Sequence, residues 1–358
     1  MRKFLHLTLF VFFTSLAFGQ QVRKYSNEFL NIGVDAAAMS MGGSVVANID
    51  DVSAGYWNPA GLMRNDKQQI VLMHANYFAN IAKYDYGAFS MPIDDKSAIG
   101  LSIIRFGVDD IMNTTELIDA NGNIDYNRIS LFSAADYAFM LSYARATPIE
   151  GLTYGVNAKV VRRVIGKFAN SWGFGFDLGV QYQTASGWQF GAMARDITTT
   201  YNMWNINKKE FEKISNAIPG SNQELPETAE ITLPKLQIGA AKKFGLSTDF
   251  TLLTTMGVNM EFAETKAMIA TKGFSLYPVA GIEVAYTDLV FIRGGVGNFQ
   301  KNMQLNGSEK VEFQPNLGIG FQYKGVQIDY ALTDIGDQSV ALYSNIFSLK
   351  IDLGIFSK

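Results

Sequence analysis

From Gln68 onward, apolar residues alternate with small or polar ones over segments of about ten residues, each ended by a break. Phe174, Phe176, Leu178, Val180 and Tyr182 share one parity, while Gly175, Asp177, Gly179, Gln181 and Gln183 share the other. A period of two puts successive side chains on opposite faces, so each segment is a strand with one greasy face and one wet face. The same split sets Val326, Ile328, Tyr330 and Leu332 against Gln327, Asp329, Ala331 and Thr333. In the last segment Phe347, Leu349, Ile351, Leu353 and Ile355 oppose Ser348, Lys350, Asp352 and Gly354.

The pattern predicts fourteen strands, at 68–79, 83–92, 97–107, 133–146, 151–165, 171–183, 187–196, 231–244, 249–262, 274–286, 289–297, 311–323, 325–334 and 345–356. Alternate connections are short, at Ile93–Lys96, Thr147–Glu150, Thr184–Ser186, Gly245–Thr248, Thr287-Asp288 and Lys324. Those between them are mostly long, at 108–132, 197–230, 263–273, 298–310 and 335–344. Short inner turns alternating with long outer loops, an even strand number and ten-residue strands are the mark of an outer-membrane barrel. A soluble sandwich also alternates. Here, however, the wet face is dominated by Gly, Ala, Asn, Asp and Lys, and Tyr recurs near the ends of the greasy one, as in a lipid-facing wall with aromatic girdles. The fold class expected is an all-β, 14-stranded antiparallel transmembrane β-barrel whose final strand is closed by Phe356. No solenoid repeat and no Pro/Gly/Ser linker divides the chain.

Composition agrees with this and narrows it. A 48% hydrophobic chain with 33 Gly, 26 Phe and 16 Tyr is not disordered, and after the N-terminus no apolar run approaches the roughly 20 residues of a spanning helix. Arg2 and Lys3, the apolar run Phe4–Phe13 and the small-x-small triplet Ala17-Phe18-Gly19 read as a cleaved export signal, residues 1–19. Its removal leaves 28 basic against 33 acidic residues and no basic stripe, so nucleic acid is not an expected partner. Cysteine is absent, which excludes disulfides, thiolate chemistry and a lipid-anchoring Cys. The barrel is expected over 68–358, with residues 20–67 as a separate N-terminal segment.

That segment contains "FLNIG" at Phe29–Gly33, "MSMGGSVVA" at Met39–Ala47, Asp50-Asp51 and "YWNPAGL" at Tyr56–Leu62. It resembles the PorV/PorQ family of outer-membrane proteins associated with type IX secretion, and the run "IDYALTD", Ile328–Asp334, looks familial too. It is more distantly similar to FadL-type transporters of hydrophobic compounds, which also carry a small-residue run and an Asn-Pro-Ala. Both relatives are fourteen-stranded barrels. The resemblance implies that 20–67 folds back into the lumen as a hatch built on Asp50, Asp51, Trp57, Asn58, Pro59 and Gly61. Trp57 would fill space, and the two aspartates would meet inward cations or helix termini. Such a hatch is either a structural plug or a gate on a substrate path.

Other chemistry is sparse. Lys159, Asp177, Glu283, Arg293, Asp329, Lys350 and Asp352 fall on the lumen parity and are expected to form a polar network bracing the hatch or selecting a solute. His74, the one histidine left after signal removal, is assigned to the interior with Ile70, Leu72 and Asn76. A lone His without Cys makes a poor metal site or triad, so no cofactor, metal or enzymatic activity is expected. "GVGNFQ", Gly295–Gln300, opens no helix and reads as a loop entry rather than a nucleotide-binding turn. The functional expectation is a non-enzymatic barrel that docks outer-membrane or secreted proteins as part of a secretion or assembly machinery, its outer face against lipid and its partner held by long loops such as 197–230. The alternative is FadL-like uptake of hydrophobic small molecules. Docking is preferred because the lumen parity is Gly-, Asp-, Asn- and Lys-rich, whereas a greasy cargo needs a mostly apolar pocket; against this, inward Ile70, Leu72 and Tyr277 could line a small apolar site near one end.

Overall fold

Alternation that exposes one greasy face in lipid can end only in closure, because an open sheet edge leaves backbone groups unpaired where no water can reach them. The computed structural model describes residues 26–78, 80–118, 122–217, 228–303, 307–335 and 344–356; the export signal expected at 1–19 lies outside them. Among the described residues one sheet contains β1 (Gln69–Tyr77), β2 (Ala82–Asp94), β3 (Ser97–Asn113), β4 (Ser130–Ala146), β5 (Leu152–Ile165), β6 (Ala169–Gln183), β7 (Trp188–Arg195), β8 (Thr200–Ile206) and β9 (Ala229–Thr232). It continues with β10 (Lys235–Gly245), β11 (Phe250–Glu261), β12 (Ile269–Ala270), β13 (Ser275–Tyr286), β14 (Val290–Met303), β15 (Glu309–Tyr323), β16 (Val326–Thr333) and β17 (Ser344–Asp352).

Fourteen of these form the wall, each antiparallel to the next in chain order, and β1 pairs back onto β17 from Gln69↔Asp352 to Asn76↔Asn345. The fourteen-stranded closed barrel is the one expected. β8 and β9 extend the wall at the long-loop end, and β12 is a two-residue ladder on β13. On β6 the parity is as read: Phe174, Phe176, Leu178 and Val180 are exposed, whereas Ser171, Asp177 and Gln181 are buried.

Several expectations need correction. Most of the "loop" 197–230 that is described is secondary structure: β8, helix α3 (Lys208–Ala217) and β9, with β8 pairing to β6 from Phe174↔Tyr201 to Ala169↔Ile206. It therefore does contribute hydrogen bonds to the wall. "GVGNFQ" lies inside β14, which crosses a register shift between Gly297 and Gln300 and continues to Met303. The last strand stops at Asp352, and Leu353–Phe356 is a short 3-10 helix with Phe356 exposed.

The largest correction concerns β1. Val71, Met73 and Ala75 point inward and are buried, and Leu72 and His74 point outward. The cause is the N-terminal segment, which fills the lumen with Val34, Ala36, Ala38, Tyr56 and Leu62, so the facing inner wall (Val71, Met73, Tyr84, Tyr86, Ile104) is apolar as well. Where both faces of a strand meet apolar surroundings, alternation carries no sign. His74 instead sits on the outer wall, its Nδ1 2.7 Å from Asp85 Oδ1, so neither Ile70 nor Leu72 lines the lumen.

The wall is interrupted once with emphasis. Leu178 pairs with Ala194 and Phe174 with Tyr201, so 175–177 on β6 face the six residues 195–200. On the other side 196–199 lie across from Leu233-Pro234, where proline has no N–H to give a ladder. Asp196 (φ 53°) and Thr199 (φ 59°) take the left-handed conformation as the chain bulges out of the ladder between Arg195 and Thr200.

Candidate functional site

The N-terminal segment descends through the lumen. At its start, Asn27 Nδ2 donates to Thr232 Oγ1 (2.8 Å) and Ser26 Oγ to Glu230 Oε2 (3.0 Å), at the long-loop end. At its end, Lys67 Nζ lies 2.9 Å from Asp352 Oδ2, at the short-turn end. Between them come α1 (Ala36–Ser40), α2 (Ala54–Trp57) and the 3-10 turn Pro59–Arg64. The last begins as its sequence requires: Asn58 caps it, accepting from Ala60 N through Oδ1 (3.2 Å), with Pro59 at the first position, where no N–H is needed.

Backbone packs on backbone because the wall supplies glycine. A Cβ at Gly179 would stand 2.1 Å from Asn58 Oδ1, and one at Gly295 would stand 2.1 Å from the Met41 carbonyl carbon. Gly61 has the same role within the segment, where a Cβ would lie 2.2 Å from Ile49 O. The fully buried Asn58 donates through Nδ2 to the carbonyls of Val46 (2.9 Å) and Val180 (3.0 Å), tying two turns of the segment to β6. Trp57 donates Nε1–H to Val34 O (3.0 Å) and meets the Tyr56 ring edge-on at 5.0 Å between centroids. Tyr56 in turn donates to Leu30 O (2.6 Å) and lies under the Arg195 guanidinium at 4.3 Å.

The seven lumen residues expected to form one network are all inward, but they divide into four nodes. Lys159 Nζ bridges Asp177 (2.7 Å) and Asp196 (2.6 Å) at the wall bulge. Arg293 on β14 reaches Glu283 on neighbouring β13 (2.5 Å) and, over β15, Asp329 on β16 (2.6 Å). Lys350 reaches the segment, at 2.5 Å from Asp51 Oδ2 and 2.9 Å from Asp35 Oδ2. Asp352 takes Lys67 and, at 2.6 Å, Gln69 Nε2. Only the last two nodes join wall to segment. Of the two expected aspartates, Asp51 meets an inward cation and Asp50 is exposed.

Asp35 was not singled out by sequence, though it stands directly ahead of the Ala36–Ala38 run. It is buried with φ 69°, and its backbone N–H points at Met73 Sδ (2.9 Å). Burial, reinforced by the nearby Asp51 and Asp329 charges, outweighs Lys350 and pushes its carboxyl up to about 6. For Asp51 burial acts the same way, but Lys350 and the hydrogen bonds from Ser53 win and hold it below the usual carboxylate range. Arg195 and Asp196 were also missed, since an Arg-Asp pair at the edge of a predicted loop gives no parity signal.

Above the segment is a cavity of about 600 Å³. Its floor is Leu30, Ile32, Met39, Tyr56 and Trp57 of the segment, and its walls come from β10, β11 and β13 to β16, including the expected Tyr277. Among the described residues no group of His, Asp and Glu is arranged to hold a metal ion.

A closed fourteen-stranded antiparallel barrel with this outward apolar face is an outer-membrane barrel, its outer wall against lipid. No protein-family model matches the chain, and no curated protein matches its sequence. Solved structures do resemble it. The toluene transporter TodX of P. putida superposes with a TM-score of 0.56 at 12% identity, covering 89% of this chain and 98% of that one. The monoaromatic hydrocarbon channel CymD gives 0.54 at 13%, with 89% and 96% covered. A Pseudomonas aeruginosa FadL homologue gives 0.50 at 12%, with 89% and 98% covered. At such identities the likeness is one of fold.

Proposed function

We propose that this chain is an outer-membrane channel for uptake of small molecules with an apolar part, with residues 26–67 as its plug. The observation that carries this is the floor of the cavity. An occupant would rest on Trp57, Tyr56 and Met39, the segment that must shift for anything to pass toward the short-turn end. The fold shared with hydrocarbon transporters and channels supports the same reading. The sequence favours docking of a protein partner for its polar lumen parity, which the apolar segment and facing wall offset, and places the partner on 197–230 as an outer loop. With β8 and β9 built into the wall, that support is weaker.

The test is entry of a hydrophobic fluorescent probe into cells carrying the barrel. The expected outcome is probe accumulation above barrel-free cells, changed at least severalfold by Trp57→Ala. Accumulation equal to barrel-free cells for both forms, with a protein partner co-purifying in mild detergent, would return the assignment to docking.

A further inference from the structure

We infer that the cavity above the segment takes a neutral amphiphile with a hydroxyl-rich head, of the alkyl or aryl glycoside class, rather than a bare hydrocarbon or a fatty acid. This rests on the cavity being the ligand site of an uptake channel and specifies what that site selects.

The two sides of the cavity differ in chemistry. The segment offers Leu30, Ile32, Met39 and Trp57, an apolar surface for an alkyl or aryl group, beside Glu28 and Asn31, which are hydrogen-bonded to each other (2.6 Å). The wall offers six side-chain amides, Gln237, Asn259, Asn298, Gln300, Gln314 and Asn316, at the long-loop halves of β10, β11, β14 and β15. Five of them form two linked groups: Gln237 Nε2 donates to Asn259 Oδ1 (2.9 Å), and separately Gln300 Nε2 donates to Asn298 Oδ1 (2.6 Å) and Asn298 Nδ2 to Gln314 Oε1 (3.4 Å), while Asn316 bonds to backbone at Gln314 O (3.4 Å) and Asp334 N (3.4 Å). Each amide has two donor hydrogens and an acceptor oxygen with two lone pairs, so these bonds leave capacity of both kinds.

Charged lining groups are balanced and engaged. Lys235 lies 2.7 Å from Glu261 and 4.0 Å from Glu28, and Arg195 is committed to Tyr56 O (2.9 Å) and Gln237 Oε1 (2.9 Å). A carboxylate head, which only accepts, would meet Arg195 as the lining cation outside an ion pair, but that guanidinium is buried, stacks on Tyr56 and already donates to Tyr56 O and Gln237 Oε1, and the amide oxygens would still face the head. A hydrocarbon would cover amides without replacing their water, which is unfavourable. Hydroxyls donate and accept, as the amides do, and about 600 Å³ is within the usual range for a ligand site.

The test uses the full barrel in phospholipid nanodiscs, free of sugar-headed detergent, with empty nanodiscs as the blank. Binding of octyl glucoside, octanoate and toluene is measured by equilibrium dialysis. The expected result is glucoside at least tenfold tighter than octanoate, with Asn259→Leu/Gln314→Leu losing that preference while toluene binds as well or better. Gln314→Leu alone, with heat-resistant gel migration unchanged, guards against misfolding of the double variant and should lose part of the preference. Equal binding of all three probes, or glucoside binding indifferent to both variants, overturns the inference. Failure of uptake itself would appear differently: glucoside bound with the expected preference but no probe accumulation in cells, which leaves the inference standing and removes the channel.

Discussion

Lys350 shows how one side chain ties the segment to the wall. It is buried and answers Asp35 and Asp51 together, so its ammonium is the counter-charge for two carboxylates that water cannot reach well. Removing one partner of a buried pair costs about 3–5 kcal/mol, because the remaining charge is stranded. Lys350→Met should therefore loosen the segment, read as faster cleavage within 26–67 by added protease, while Lys350→Met/Asp51→Asn should recover part of the loss. A pH dependence follows from Asp35. Its carboxyl titrates near 6 when the segment is seated and near 3.8 when it is released, so the seated form holds a proton across that window that the released form has lost. Seating thus weakens as pH rises from about 4 to 6 and is then level, by at most about 3 kcal/mol for a shift of two units. Asp51 acts in the opposite sense: its contribution is present above the ordinary carboxylate range and lost as pH falls below it. Protease protection of the wild type should fall between pH 4 and 6, and Asp35→Asn should reduce that slope, leaving the part carried by Asp50, whose carboxyl is also pushed up to about 6. A slope unchanged in Asp35→Asn would assign it to another group.

At the scale of elements, the inner wall is shaped for the segment by absence of side chains. Gly155, Gly179, Gly191 and Gly295 lie on four different strands, and a Cβ at any of them would stand within 2.4 Å of segment backbone or of Asn58. Gly179→Val should therefore leave the strands paired, since valine suits a strand, yet displace the Asn58 turn. The expected outcome is an intact heat-resistant barrel with a protease-sensitive segment; loss of barrel and segment together would mean that the two fold as one unit. Much of this level was legible in advance. On β6, Gly175, Asp177 and Gly179 alternate with large apolar residues, because lipid outside and polar groups inside impose opposite demands on the two parities. On β1 the same reasoning failed, since the segment makes the lumen apolar beside Val71 and Met73 and reverses the assignment of His74. The bulge at 195–200 was equally hidden: it depends on the inward Lys159 finding Asp177 and Asp196 together, a tertiary arrangement that no local pattern records.

For the whole molecule, the alternation of short and long connections predicts which end faces the cell exterior. Gly307 and Ser186 lie at opposite ends, one beyond β14 and the other in the turn between β6 and β7. Cysteine placed at Gly307 should be labelled on intact cells by an impermeant reagent, and cysteine at Ser186 should not; the reverse pattern would invert the barrel. The fourteen-strand wall was readable from the chain alone because strand length, parity and turn spacing are each set by the bilayer. The candidate site was readable only in pieces. The motif around Trp57 and Asn58 marked the segment, but the cavity above it joins residues from distant strands that come together only when the sheet closes.

That closure joins β1 to β17, the first and last strands of the wall, along eight residue pairs. The segment runs inside from Ser26 at one end to Lys67 at the other, directly ahead of β1. Once the seam has formed, the interior can be entered only through the two ends, and the Gly179 and Gly295 contacts leave little clearance for threading a chain past them. The order of assembly is thereby constrained: with the Pro59–Arg64 turn against β2 to β6 and α1 against β14 to β17, the segment has to be in place while the sheet is still an open trough, before the seam shuts. Lys350 and Asp352 lie on β17, so the ion pairs that hold the segment form in the same event that completes the wall.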